Sequence, residues 1–587
     1  MKKSVSIIYF ILIAFTSVSQ DNEWITHYEK SNFLETPRYK ETIEYSKKLA
    51  ESSAIIKYDS FGTSVQGRDL PLIIVDKNQN FTPESIKKSG NAILFIEACI
   101  HAGESEGKDA GLMLFRDIAI LNKYPNLLNH TSIIFIPIFN VDGHERFSTY
   151  NRINQNGPTE MGWRTTSQNL NLNRDFTKAD APEMQHWLKL FNTWLPDMFI
   201  DIHTTDGADY EYSLTYGMLT MGAMNKSQTE WQKKYLLEVE ENLKKDNVLM
   251  FPYVSYRRWH DPRSGLIRET APPKYSIGYS AIQNRPGLLI ETHMLKDYKT
   301  RVNATYYMLK YTIEILDKDY NKIKVINKSA DIEASLLSNK EFILSYYTSQ
   351  KDSTLVKFKG VEYDIVHSDL TNDIWVQFSK KLKEYDLVLF DKLVPNVKVK
   401  LPEAYIIPVE WTGIIERVKL HGIEYSILNE SNEFEITTYK FSNVSFRNFP
   451  FEGRQLVQNF TSQEIKINKL YPKGSLIIPV NQRSAKIIAH LLEPQGPDSF
   501  LKWGFFNSIF ERKEYVETYV MEKMAREMIK ENPSLKEEYE QALKDNPEIY
   551  NNQWAKLFWF YERTPYWDQQ KDIYPIGKIN NLNSVKL

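Results

Sequence analysis

Ile93-Leu94-Phe95-Ile96-Glu97-Ala98-Cys99-Ile100 runs directly into His101-Ala102-Gly103-Glu104. An almost wholly apolar run of this length, too short for a core helix, reads as a strand buried on both faces. Leu70–Val75, Ser132–Phe139, Met198–His203 and Gly287–Thr292 have the same character: rich in Ile, Leu and Phe, and bounded by Gly, Pro, Asn or Asp. Between them, apolar residues at three- and four-residue spacing predict helices over Asp109–Leu121, Ala181–Trp194 and Thr229–Lys244, with a further helix over Lys299–Leu316. This alternation predicts an α/β domain with a mostly parallel sheet flanked by helices.

In such a sheet, ligands bind beyond the carboxyl ends of the strands. His101 and Glu104 follow one strand as an H-x-x-E loop, in which an imidazole and a carboxylate can converge on one cation. His203 ends a second strand and brings another imidazole to the same edge. Two histidines and a carboxylate leave a fourth zinc position open to water, the arrangement of a catalytic rather than a structural site. Glu291 ends a third strand, within reach of that water without being a ligand. Arg164 and the pair Asn173-Arg174 lie between the two histidine segments, and an arginine fork matches a carboxylate geometrically. The plainer readings are salt bridges: Arg164 or Arg174 with an acid such as Asp175, and Glu291 with Arg285. Asn173 has a plainer reading too, as a residue that shapes its turn.

The remaining sequence sets the context. With 587 residues the chain exceeds one hydrophobic core. Its 42% hydrophobic and 25% charged residues are those of a globular protein. Net charge is -2, which gives no field to gather nucleic acid or an anionic membrane and favours small or peptidic partners. Lys2-Lys3, the apolar run Ile7–Phe15 and Ser17-Val18-Ser19 form a signal-peptide pattern over residues 1–19. An exported protein, periplasmic or secreted, with no transmembrane segment after cleavage is expected. Cys99 is the only cysteine, so no internal disulfide forms, and it reads as a small buried hydrophobe. After about residue 320 the pattern turns to β-type alternation, as in Glu435–Tyr439 and Ser475–Val480. A boundary there divides a catalytic domain, 20–320, from a C-terminal accessory domain, 321–587, of mixed β and α structure. Near its end a helical face is broken at Pro533, and an aromatic cluster from Trp554 to Trp567 reads as packing.

Taken in order, Gly67-Arg68-Asp69-Leu70, His101 to Glu104, Asn140-Val141-Asp142-Gly143, Trp163-Arg164, Asn173-Arg174, His203 and Leu289-Ile290-Glu291-Thr292 resemble the metallocarboxypeptidase family typified by carboxypeptidase A. The resemblance covers roughly residues 30 to 318. It implies a mixed sheet of about eight strands and one zinc ion per chain, on His101, Glu104 and His203. It also implies Arg164 polarising the scissile carbonyl, Asn173 and Arg174 holding the terminal carboxylate of a peptide or protein substrate, and Glu291 as general base. The family's substrate-capping tyrosine has two candidates here, Tyr275 and Tyr279. Asp206 and Asp209 place extra acid after His203. Two other functions fit the same residues: a zinc deacylase of small acylated amino acids, and a catalytically inactive peptide-binding module.

Overall fold

The computed structural model describes residues 23–218, 222–548 and 550–582. The expected signal peptide at residues 1–19 lies outside the described residues. An eight-stranded sheet dominates the first half. Its strands are β1 (Ile56–Thr63), β2 (Asp69–Val75), β3 (Ala92–Glu97), β4 (Thr131–Ile136), β5 (Met198–Thr205), β6 (Leu214–Met218), β7 (Met250–Pro252) and β10 (Gly287–His293). They lie in the order β1-β2-β4-β3-β5-β10-β6-β7. β3 pairs in parallel with β4 and β5, as do β5 with β10 and β6 with β7, whereas β1–β2, β2–β4 and β6–β10 are antiparallel.

The unbroken apolar character of β3 has a direct cause. Leu94 and Ile96 pack into a cluster with Leu114 and Ile118 of helix α1 (Glu106–Ala119). Phe95 points the other way, against Trp187 and Phe191 of α2 (Pro182–Trp194). Both faces are therefore covered, which removes the polar alternation of a half-exposed strand. Helices α3 (Lys226–Lys245), α4 (Ser276–Ile282) and α5 (Tyr298–Ser335) complete the layers.

Strand ends differ from expectation where they matter. The strand expected to reach Ile100 stops at Glu97, because Cys99 adopts a left-handed φ of 56° and turns the chain. The strands expected to end at His203 and Thr292 run on to Thr205 and His293, so His203 and Glu291 lie inside their strands and face each other in register. Helix α5, capped at Asp297 by a bond from Thr300 N, runs far past Leu316 and through the boundary expected near residue 320.

Strands β8 (Ser255–Arg258) and β9 (Asp261–Ile267) join β12 (Thr354–His367) and β13 (Ile374–Phe390) in a four-stranded sheet, while β11 (Glu341–Thr348) pairs with β14 (Leu393–Lys400). A six-stranded sheet is built from β15 (Ala404–Ile407), β16 (Ser426–Ile427), β17 (Asn432–Phe446), β18 (Val457–Tyr471), β19 (Leu476–Pro479) and β20 (Gly577–Ile579). The apolar cluster holding Phe95 and Trp187 also holds Tyr405, Ile478 and Tyr574, so the two halves share core. The helical face near the end is split at Pro533 into Thr518–Glu531 and Ser534–Asp545. Trp559, Phe560 and Tyr561 pack against those helices. Among the described residues no helix is long and apolar enough to cross a membrane.

Candidate active site

His101, Glu104 and His203 converge at the carboxyl edge of the sheet, all three buried. After β3 the Cys99 turn delivers His101, and the bond from Glu104 N to His101 O, 2.9 Å, closes a tight loop that aims both side chains at one point. A side chain on Gly103 would stand 2.7 Å from Gly162 O, and one on Gly162 2.8 Å from Ala102 O. Only this glycine pair lets the loop carrying Arg164 press onto the loop carrying His101 and Glu104.

The donor atoms fit a cation. His101 Nδ1 lies 3.1 Å from Glu104 Oε1, His203 Nδ1 lies 3.0 Å from Glu104 Oε2, and the two Nδ1 atoms are 3.0 Å apart. Tetrahedral zinc with bonds of about 2.0–2.1 Å places its donors about 3.4 Å apart, close to this triangle. The far nitrogens set the tautomers: His101 Nε2 lies 3.1 Å from Asn171 Oδ1, and His203 Nε2 2.7 Å from Asp201 Oδ2. A proton held on each Nε2 leaves both Nδ1 lone pairs for a metal.

Charge in this edge is unbalanced. Burial pushes His101 down to about 3, with Glu104 opposing. Burial would lower His203 too, but Asp201 and Glu104 outweigh it and hold the imidazole well above its usual value. Burial would raise Glu104, yet His101 and Arg152 keep it well below the carboxylate range. Glu291 is pushed up to about 8, first by burial and then by Glu104, Asp201 and Asp206, with His203 only partly offsetting them. Four acids facing few cations make a divalent ion electrostatically welcome.

All seven residues singled out in the sequence, His101, Glu104, Arg164, Asn173, Arg174, His203 and Glu291, line one cavity of about 820 Å³. Arg164 Nη1 sits 3.4 Å from Glu104 Oε1 and remains partly exposed. Arg174 stacks on the Tyr275 ring, 4.5 Å from its centroid, and donates to Asn173 O at 2.6 Å. Among the described residues no carboxylate pairs with Arg174. Asp175 takes Lys178 instead, and Arg285 takes Asp331 at 2.9 Å, so the plainer pairings for Arg174 and Glu291 do not form. Asn173 is more engaged than expected, its Nδ2 3.4 Å from His203 Nε2 and its Oδ1 accepting from Ser276 N at 3.3 Å. Of the two tyrosines, Tyr275 lines the cavity, whereas Tyr279 is buried and bonds to His421 Nδ1 at 3.0 Å. Asp206 lines the cavity, but Asp209 pairs with His293 at 2.8 Å.

Sequence reasoning missed Asp201 and Arg152, the latter 2.8 Å from Glu104 Oε1. The spacing of Asp201 and His203 held the signal, since residues two apart on a strand share a face. Arg152 sits in a loop without a comparable cue.

A parallel-sheet edge presenting two histidines and a glutamate beside a further acid defines a metallohydrolase type of centre. Residues 42–321 match the family Peptidase_M14, zinc carboxypeptidase. The chain carries a domain of that family, and with it the class of metallocarboxypeptidase hydrolases; zinc is the metal and peptides the substrates that this family implies. Similarity extends beyond that segment. "Carboxypeptidase 2" of Trichophyton rubrum is 21% identical over 496 residues, covering 80% of this chain and 84% of that protein. Its namesake in Trichophyton equinum is 22% identical over 498 residues, with the same coverage of 80% and 84%. Among solved structures, a metallo-carboxypeptidase from Burkholderia cenocepacia matches at 18% identity and a TM-score of 0.35, covering 48% of this chain and 69% of that one.

Proposed function

We propose that the protein is an exported metallocarboxypeptidase that holds one zinc ion on His101, Glu104 and His203 and hydrolyses the C-terminal peptide bond of peptides or proteins. Zinc bound there would supply Lewis acidity toward water and toward the scissile carbonyl. Glu291 accepts a proton from the attacking water and returns it to the leaving amine, a double role open to a carboxyl group that lines the cavity in register with His203. Arg164, which lines the same cavity, serves the charge that develops on the carbonyl oxygen. Arg174 and Asn173 receive the free carboxylate of the substrate. The observation that carries this reading is Arg174: a half-buried guanidinium in the cavity wall, stacked on Tyr275, with no acid of the chain upon it among the described residues. A fork left unpaired beside a metal cluster fits a ligand's carboxylate. Export rests on the basic, apolar and small-residue order of residues 1–19. The division into a catalytic part and a C-terminal part belongs to the same proposal, with α5 shared between the two rather than cut at residue 320.

The test is metal analysis combined with release of C-terminal residues from a mixed peptide library, with and without a chelator. Zinc at one equivalent and release abolished by the chelator are expected. Glu291→Gln should retain zinc and lose turnover by a factor of about 100 or more. Release that ignores the chelator, or a Glu291→Gln protein of near-normal activity, refutes the assignment. Comparing N-acylated dipeptides with acylated amino acids separates peptidase from deacylase.

A further inference from the structure

The cavity described above is not built by residues 42–321 alone. Strand β11 and the turn after it, with Tyr346, Tyr347, Thr348 and Gln350, line one side of it. The adjoining stretch of the lining, Arg268 to Pro272, follows β9, whose end runs parallel to β13 with Leu266 against Leu389 and Ile267 against Phe390. That stretch is then tied down by C-terminal groups: Arg268 N donates to Phe390 O at 2.9 Å, and Thr348 Oγ1 donates to Arg268 O at 2.9 Å.

Two buried or half-buried acids extend the pattern to the turns that carry Arg174 and the tyrosine it stacks on. Asp498 accepts from Lys274 N at 3.0 Å, immediately before the Tyr275 that stacks on Arg174. Glu452 lies at the tip of the β17–β18 hairpin and accepts from Asn171 N at 3.0 Å, at the start of the turn bearing Asn173 and Arg174. Its backbone is held in the left-handed region at φ 50°, a conformation that costs free energy for any residue but glycine. The tip is pinned where it lands: Arg454 grips Asp180 through two bonds of 2.6 Å, and Arg417 adds a third at 2.8 Å. Asn171, whose backbone Glu452 holds, is also the residue whose side chain partners His101 Nε2.

We propose that the C-terminal region is part of the substrate-binding machinery, with Glu452 and Asp498 as positioning residues that hold the Asn171–Arg174 turn and the Lys274–Tyr275 turn for the substrate's carboxylate. The proposal rests on the carboxypeptidase reading of the site. It assigns the region a role that neither its composition nor its strands disclosed, and it makes the hairpin tip a strut rather than an ornament of the surface.

The full-length, zinc-loaded protein tests it. A panel of N-acetyl amino acids, and the same compounds as C-terminal amides, is titrated by calorimetry into wild type, Glu452→Ala, Glu452→Gln, Asp498→Asn and the hairpin-stem control Asn459→Ala. Glu452→Ala should weaken binding of the acids roughly tenfold or more, the scale of one lost bond to a charged group. Binding of the amides, zinc content and melting temperature should stay at wild-type values. Glu452→Gln keeps an acceptor oxygen for Asn171 N and should restore most of the loss. Asp498→Asn should act in the same direction as Glu452→Ala, and Asn459→Ala should change nothing. Carboxylate selectivity in the wild type that survives unchanged in Glu452→Ala overturns this proposal alone. Equal losses for acids and amides, with a lowered melting temperature, overturn it as well, because the acid would then serve only folding. A wild-type protein without carboxylate selectivity overturns the reading of Arg174, and Glu452 then has no carboxylate site to position.

Discussion

Replacing Asp201 separates the two things it does for His203: it accepts the Nε2 proton at 2.7 Å and it brings a buried negative charge beside the ring. Asparagine keeps an acceptor and removes the charge, whereas alanine removes both. A hydrogen bond to a charged group contributes about 1.5–3 kcal/mol, or roughly 10- to 150-fold in an equilibrium constant. Neutral bonds are roughly half as strong as charge-assisted ones. Zinc affinity should therefore fall about tenfold in Asp201→Asn and about a hundredfold in Asp201→Ala, within the range known for partners of metal-bound histidines. A second effect runs the other way. Glu97 faces Asp201 in register, and burial first and Asp201 second hold its carboxyl well above the usual range. Removing the charge of Asp201 relieves Glu97 but takes from His203 the partner that holds it charged, so in the metal-free protein the two effects oppose each other and stability should change less than zinc affinity does. Competition against a chromophoric chelator gives the affinities, and urea unfolding of metal-free protein gives the stability. Wild-type zinc affinity in Asp201→Ala would refute the claim that this carboxylate tunes the ligand.

Arg174→Ala should raise KM for peptides with a free carboxyl terminus by roughly tenfold or more, and Arg174→Lys should recover little, because a point charge cannot reproduce a fork stacked on Tyr275; equal kinetics for the two variants and wild type would contradict this. Arg301 is fully buried, pairs with Glu106 at 2.7 Å and donates to Met294 O at 2.9 Å. Arg301→Met strands the Glu106 charge in the core and should destabilise the fold by about 3–5 kcal/mol in chemical unfolding. Burial holds His421 and His490 down at about 3 and His144 at about 4. Because these folded values lie below that of a free imidazole, the unfolded chain takes up protons first, so stability is lost as pH falls from about 6.5 toward 4. A urea midpoint that stays level across that interval would count against the neutral buried state.

The readable part of the fold was the part with a strict physical pattern. β3 and β5 are covered on both faces, so their apolar runs stood out, and His101 and His203 were visible where those runs end, although Glu97 and Asp201 also lie within them. Strand ends were less legible. The left-handed turn at Cys99 leaves no compositional trace, since cysteine has no preference for that region, and the register that sets Glu291 against His203 comes from pairing between distant strands. Arg152 and Glu452 escaped for a related reason: each acts from a loop whose position is decided by tertiary contacts rather than by local spacing. Tyr275 and Tyr279 are four residues apart and indistinguishable by type; only the start of α4 between them sends one into the cavity and the other into the core.

Helix α5 sets a limit on how this chain can be divided. Beyond residue 320 it still buries Ile323, Asn327 and Ala330; Asn327 donates to Asp197 O at 2.9 Å, and Asp331 takes the buried Arg285. A fragment ending at residue 320 would strip Arg285 of its acid and uncover one face of the sheet. The two halves should accordingly melt together in one transition, and in the history of such a chain the C-terminal half cannot be exchanged like a cassette at that point, because the beam that ends the first half is also the first beam of the second.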